Sequence, residues 1–191
     1  MWSLQDSDAA SLSDATERGL VTAAQDGSEP AVEELFRRHW PATHRAAFLI
    51  VRDAAAAEDI AQDAFLSALG ALGRFDRRRP FAPWLHRIAV NRAIDWSRSR
   101  SLRHEVSAGG QLFDSAAPEP LSAGLPEPTS EVGLALARLS AEHRAVVVLR
   151  YVLDYTPGEI AAMLELPRGT VNSRLRRALD QLSEHLEAEP G

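Results

Sequence analysis

Residues 105–130, EVSAGGQLFDSAAPEPLSAGLPEPTS, constrain the fold more than any other stretch of this sequence. Four prolines, three glycines and weak apolar periodicity predict a flexible linker there. Whatever folds must therefore lie in two pieces, one on each side. On both sides apolar residues recur at helical spacing, and nothing alternates convincingly with period two. The expected fold is all-α, two small helical domains joined by a flexible acidic linker. The predicted boundaries are a disordered tail over 1–13, a first domain over 14–104, the linker over 105–130, a second domain over 131–186 and a tail over 187–191.

In the first piece, Asp14 and Glu17 have the spacing of a capping box for a short helix with Leu20, Val21 and Ala24 that ends near Gly27. Pro30 opens a longer helix with Val32, Leu35, Phe36 and Trp40 on one side. Pro41 predicts a kink or break before the pattern resumes at Ala46–Val51. Asp53 can cap the next helix, which runs to about Leu72 with Ile60, Ala61, Ala64, Phe65, Ala68 and Leu72 inside. Opposite them, Asp59, Gln62, Asp63 and Leu66 fall at i, i+3, i+4 and i+7, one stripe. Such a charged row is usually a solvated face; the apolar Leu66 that closes it favours a binding surface. The loop Arg74–Pro83, RFDRRRPFAP, sets Arg77, Arg78 and Arg79 between two phenylalanines. It is either a solvated basic loop or a place where unpaired bases stack. From Pro83 or Trp84 to about Arg103 a further helix carries Leu85, Ala89, Arg92 and Trp96 on one side and Arg87, Asn91, Ile94 and Arg98 on another. Trp84 and Trp96 are expected to pack rather than to touch bases.

In the second piece, Thr129 or Ser130 can cap a helix with Val132, Leu136 and Leu139. Ser140 caps another, AEHRAVVVLRYV, in which Val146, Val147, Leu149 and Tyr151 are the apolar positions. Its VVV run would suit a strand, but the cap and the flanking pattern favour helix. Thr156–Leu182 then reads as helix, tight turn, helix. Thr156 and Glu159 form a capping box, Pro157 occupies the first helical position, and Ile160, Ala161 and Leu164 make an apolar stripe. After Leu166–Pro167, Val171, Leu175, Ala178, Leu179 and Leu182 face inward. Thr170, Ser173, Arg174 and Arg177 face outward, with Arg168 at the helix start and Asn172 and Arg176 on the flanks. Short polar groups followed by arginines suit base edges and phosphates in a major groove. The plainer alternative is a helical hairpin with a solvated arginine face.

Several function classes drop out. With no cysteine, disulfides and cysteine-ligated zinc are excluded, and the six histidines show no metal-ligand pairing. No nucleophile–base pair or phosphate-binding glycine loop suggests an enzyme, and no cofactor is expected. No apolar run approaches the ~20 residues of a membrane span, and the acidic, polar N-terminus is unlike a signal peptide, so a cytoplasmic protein without membrane insertion is expected. The net charge of −6 is unevenly spread: residues 1–30 carry −5, 31–104 carry +5, 105–130 carry −4, 131–180 carry +1 and the last eleven −3. Phosphate neutralisation dominates DNA affinity, so this chain alone should bind DNA weakly and a partner should supply most of the electrostatics. A DNA-binding regulator acting without polymerase would use 131–182 but leave 57–98 without a purpose; a helical adaptor that binds only protein would leave the arginine faces dispensable.

Two blocks in this order decide between these readings. AEDIAQDAFLSAL (57–69) with FAPWLHRIAVNRAIDWSR (81–98), and ALARLSAEHRAVVVLRYVLDYTPGEIAAMLELPRGTVNSRLRRAL after the linker, resemble bacterial RNA polymerase sigma factors of the extracytoplasmic-function class. The resemblance covers about 17–104 and 131–182. It implies a sigma region 2-like bundle followed by a region 4-like helix-turn-helix domain, and a protein that binds core RNA polymerase and directs promoter-specific initiation. Asp59, Gln62, Asp63 and Leu66 would then meet the polymerase β′ clamp helices, with the β flap as a second contact of the polymerase. Arg77, Arg78, Arg79, Phe81, Arg87, Asn91 and Arg98 would recognise and open the −10 promoter element; Asp95 matches a further polar position of the motif. Arg168, Thr170, Asn172, Ser173, Arg174 and Arg177 would read the −35 element. Promoter DNA and an anti-sigma factor, of the kind that restrains many relatives, are the other implied partners. Where the family usually has Gly in the turn, this chain has Glu165; a left-handed conformation there would cost about 1 kcal/mol. The linker is either a passive tether or, by its acidity, an occupant of the polymerase RNA path.

Overall fold

The computed structural model describes residues 16–107 and 131–187, without the side chains of 104–107 and 186–187. The caps proposed at Asp14, Thr129 and Ser130, the tail over 1–13 and most of the linker lie outside the described residues. Among those described are eight α-helices, one 3-10 turn and no strand. The first half comprises α1 (Glu17–Gln25), α2 (Glu29–Val51), α3 (Ala54–Ala71), the 3-10 turn Leu72–Arg74 and α4 (Phe81–Ser107). The second comprises α5 (Glu131–Arg138), α6 (Ala141–Tyr151), α7 (Pro157–Leu164) and α8 (Arg168–Glu187).

Local chemistry accounts for most of the ends. Thr16, rather than Asp14, caps α1: its hydroxyl accepts from the Gly19 N–H at 3.2 Å. Gly27, at φ 92°, then turns the chain into Ser28, the cap of α2. α2 is not broken at Pro41. Proline removes only the donor to the Arg37 carbonyl, and the buried stretch Ala46–Val51 beyond it holds the helix in place by packing. Arg52 closes α2 in the left-handed region at φ 58°, and Asp53 caps α3 by accepting from Ala56 N–H at 3.0 Å. Ser140 caps α6, and the VVV run is helical. α4 begins at Phe81, earlier than the position of Pro83 suggests, because proline is tolerated in a first turn whose N–H groups have no helical acceptor.

One apolar cluster joins α1, the start of α2, the second half of α3 and the start of α4; Leu20, Leu35, Phe65, Phe81 and Leu85 are its large members. The other cluster is not confined to either half. Phe48–Val51 of α2 and Val90, Ala93 and Ile94 of α4 pack with Val146–Leu149 of α6, Ile160 of α7 and Val171 of α8. The linker therefore separates two helical segments that share a core. Polar contacts reinforce the seam. The His86 Nδ1 and Tyr155 hydroxyl lie 2.7 Å apart, the Arg98 Nε donates to Glu142 Oε1 at 2.7 Å, Arg87 pairs with Glu165, and Arg52 donates to the Gly133 carbonyl.

Candidate nucleic-acid interface

The basic loop is braced from within. Asp76 accepts from the Arg78 N–H through its carboxylate (3.0 Å) and from the Arg79 N–H through its carbonyl (2.9 Å). Arg77, Arg78 and Arg79 are all exposed as a result. Phe81 is not part of that surface. It is 1% exposed and meets Trp84 and Phe75 edge-on, at 5.7 and 6.0 Å. The aromatic side chains flanking the arginines anchor the loop to the core instead of facing bases: Phe75 stacks on Trp84 at 4.5 Å. Trp96 likewise packs, under the Arg100 guanidinium at 5.1 Å.

Farther along α4, Arg87 and Asn91 are half-buried and Arg98 is exposed. Ile94, grouped with them by spacing, is buried in the apolar cluster that spans both halves. Arg87 and Arg98 meet carboxylates of α6 and the α7–α8 turn, so this candidate DNA face is partly occupied by the chain itself. His86 lies under the same seam. Burial, and secondarily the nearby His39, push its pKa down to about 4, and its Nε2 has no hydrogen-bond partner among the described residues. Burial likewise raises the Tyr155 hydroxyl.

In the helix-turn-helix, the capping box forms with both arms: Glu159 Oε2 accepts from the Thr156 N–H at 2.8 Å, and the Thr156 hydroxyl oxygen accepts from the Glu159 N–H at 3.3 Å. Glu165 does adopt the left-handed conformation, at φ 54° and ψ 42°. Val171, Leu175 and Ala178 are buried and fix the rotation of α8 about its axis. Arg168, Asn172 and Arg177 are exposed, and Thr170, Ser173 and Arg174 are half-buried. Ser173 donates its hydroxyl to the Thr170 carbonyl at 2.9 Å, leaving its lone pairs to accept. Arg174 and Arg177 lie near His143 of α6, whose pKa is lowered by burial first and then by Arg174. Tyr151, Val132 and Leu179, expected inside, are 56%, 48% and 39% exposed.

On α3, Asp59, Gln62, Asp63 and Leu66 stand together on the outer face, Leu66 at 67% exposure. The apolar positions opposite, from Ile60 to Leu72, are all buried. No cluster of three His, Cys, Asp or Glu suited to a metal occurs among the described residues, and no helix there is long and apolar enough to cross a membrane. Sequence spacing missed the His86–Tyr155 pair and the polar contacts of α1 with the loop, since their partners lie 47 to 69 positions apart.

Comparison with known proteins follows the same division. The family model described as Sigma-70 region 2 matches residues 35–103, and that described as Sigma-70, region 4 matches 135–184. The RNA polymerase sigma factor CarQ of Myxococcus xanthus is 35% identical over 166 residues, 85% of this chain and 92% of the relative. The chain belongs to the ECF sigma factors of RNA polymerase. SigM of Mycobacterium tuberculosis, an ECF sigma factor, is 36% identical over 87% of this chain and 83% of its own length. The Cupriavidus metallidurans sigma factor CnrH is 33% identical over 91% and 95%. In solved structures, CnrH in complex with the cytosolic domain of CnrY superposes with a TM-score of 0.67 at 30% identity, covering 91% of this chain and 99% of that one. The sigma factor RpoE bound to the anti-sigma factor NepR from Bartonella quintana superposes at 0.68, with 25% identity and 83% and 98% coverage. As an ECF sigma factor, this chain is a DNA-binding transcription initiation factor of two helical regions.

Proposed function

We propose that this sigma factor confers promoter selectivity on core RNA polymerase without performing covalent chemistry itself, and that it works in the cytoplasm. The observation that carries the reading is the coexistence, on one chain matching both sigma regions, of an acidic–apolar stripe on α3 and two separate arginine surfaces. The stripe Asp59–Gln62–Asp63–Leu66 docks on the clamp helices of the polymerase β′ subunit. α8 enters the major groove of the −35 element, with Arg168, Thr170, Asn172, Ser173, Arg174 and Arg177 toward bases and phosphates. An arginine bidentate to guanine N7 and O6 is worth about 1–3 kcal/mol of discrimination. Arg77, Arg78 and Arg79, with Arg87, Asn91 and Arg98, hold the −10 element as a single strand. Binding only the melted form drives melting by differential affinity, against a few kcal/mol per unstacked step. Phe81 serves this surface from beneath, as the anchor of the loop.

An anti-sigma partner is part of the proposal, supported by the solved complexes of CnrH with CnrY and of RpoE with NepR. The test is reconstitution. Purified chain added to core RNA polymerase should yield run-off transcripts from specific promoters; specific DNA binding by the chain alone, with no change in transcription, would overturn the reading.

A further inference from the structure

Helix α1 precedes the stretch matched as region 2, which begins at residue 35, yet it grips the basic loop at both ends. The Gln25 amide donates both of its hydrogens to the loop's entry, to the Leu72 carbonyl at 2.9 Å and the Phe75 carbonyl at 2.8 Å. At the exit, Glu17 Oε2 accepts from the Phe81 N–H at 3.3 Å, while its Oε1 lies 3.1 Å from His39 Nε2. Glu17, Val21 and Gln25 recur every four residues, so one side of α1 runs along the loop. Leu20, Val21 and Ala24 are buried and fix that side in place.

Between helix and loop are two openings. A cleft of about 700 Å³ has Arg18, Gln25, Arg74, Phe75, Arg77 and Arg78 among its lining residues, and a smaller one of about 200 Å³ lies beside Arg18, Arg79 and Phe81. Arg18 borders both. The larger cleft has four arginines against Asp26 and Asp76, and its volume lies in the ~300–1,000 Å³ range of small-ligand sites. A single nucleotide with its phosphate matches this size and charge.

We propose that α1 is the second wall of the pocket for the unpaired −10 strand, with Arg18 binding a backbone phosphate and Gln25 positioning the loop. This rests on the assignment of the loop to the −10 element. Arg18 would be a further DNA-contacting residue; Gln25 acts through the loop backbone and touches no DNA.

The experiment uses holoenzyme and a fluorescein-labelled 12-nucleotide single strand, taken from the non-template −10 region of a promoter this holoenzyme transcribes. Arg18→Ala should weaken binding about five- to tenfold and reduce the slope of log affinity against log salt by about 0.7, the loss of one single-strand phosphate contact. Arg18→Gln should do the same, which separates charge from packing. Gln25→Met, which keeps length but loses both donors, should weaken binding with the salt slope unchanged. Affinity for core polymerase should match wild type in all three, as should the unfolding temperature of both Arg18 variants; Gln25→Met, which gives up two part-buried hydrogen bonds, should lower it by a few °C. Wild-type affinity and slope in Arg18→Ala would overturn the phosphate contact, and wild-type affinity in Gln25→Met the positioning role. Arg77→Ala and Arg78→Ala run in parallel. Loss there with none in Arg18→Ala rejects only the α1 wall; no loss in any of them rejects the −10 assignment itself.

Discussion

At the scale of single residues, side-chain exposure separates the arginines that can act at once from those already engaged. Arg77, Arg78 and Arg79 face solvent, whereas Arg87 and Arg98 meet Glu165 and Glu142. Exposed ion pairs of this kind contribute only ~0–1 kcal/mol each, so they can be exchanged for phosphates. Glu165 is a compromise at one position. It bears a left-handed backbone that glycine would take at no cost, and it supplies the carboxylate that Arg87 meets. Arg174 sits among the outward residues of α8, half-buried between Thr170 and Arg177 in register. Arg174→Ala should reduce −35-dependent transcription about 5- to 150-fold, as loss of an ~1–3 kcal/mol contact implies, and leave core binding intact. Equal loss on promoters with and without the correct −35 sequence would argue against base reading.

At the scale of elements, caps and stripes explain both where the helices lie and what they offer. The Thr156–Glu159 capping box satisfies donors at the start of α7, the helix that supports the recognition helix. Thr156→Ala should cost about 1 kcal/mol and lower the unfolding temperature by roughly 2–4 °C, measurable by calorimetry. On α3, spacing alone brings Asp59, Gln62, Asp63 and Leu66 to one outer face, because the buried Ile60–Leu72 side leaves them no other direction. Reversing Asp59 and Asp63 to Arg should weaken binding to core polymerase at least tenfold without destabilising the fold, since both are exposed. Undiminished pull-down would remove the docking assignment. Spacing fails for the polar contacts of α1, where Gln25 and Glu17 meet groups 47 to 64 positions away.

At the scale of the molecule, the shared core sets a condition on function. The −35 and −10 elements are about 25 base pairs apart, roughly 85 Å at ~3.4 Å each. Helices packed side by side cannot reach both, so the two halves must separate on the promoter. Residues 108–130 can span at most roughly 80 Å, and the breadth of the two halves makes up the remainder. The His86–Tyr155 contact crosses the seam with the imidazole buried, so the separation should depend on pH. Glu17 and His39 face it from the first half and Glu159 from the second. His86 is neutral in the packed state, with a pKa near 4 against 6.5 when exposed. Packing is thus fully favoured above pH 6.5 and weakens as pH falls from there toward 4. Small-angle scattering of the free chain should show a larger radius of gyration at pH 5.5 than at 7.5, and His86→Gln should blunt the change. A radius constant over that range in the native chain would remove His86 from the seam's energetics.

The sequence by itself determined the helices on either side of the proline–glycine run, though α4 continues to Ser107, past the end expected near Arg103, and it determined the stripe on α3, the outward residues of α8 and the left-handed demand on Glu165. These depend on neighbours three or four positions away, on caps, or on a proline–glycine run. Tertiary structure alone decided that Phe81 and Ile94 lie in the core, that Phe48–Val51 and Val146–Leu149 share one core, and that α1 clamps the basic loop. Apolar periodicity says which side of a helix is buried and not what buries it. Contacts between distant segments leave no local signature.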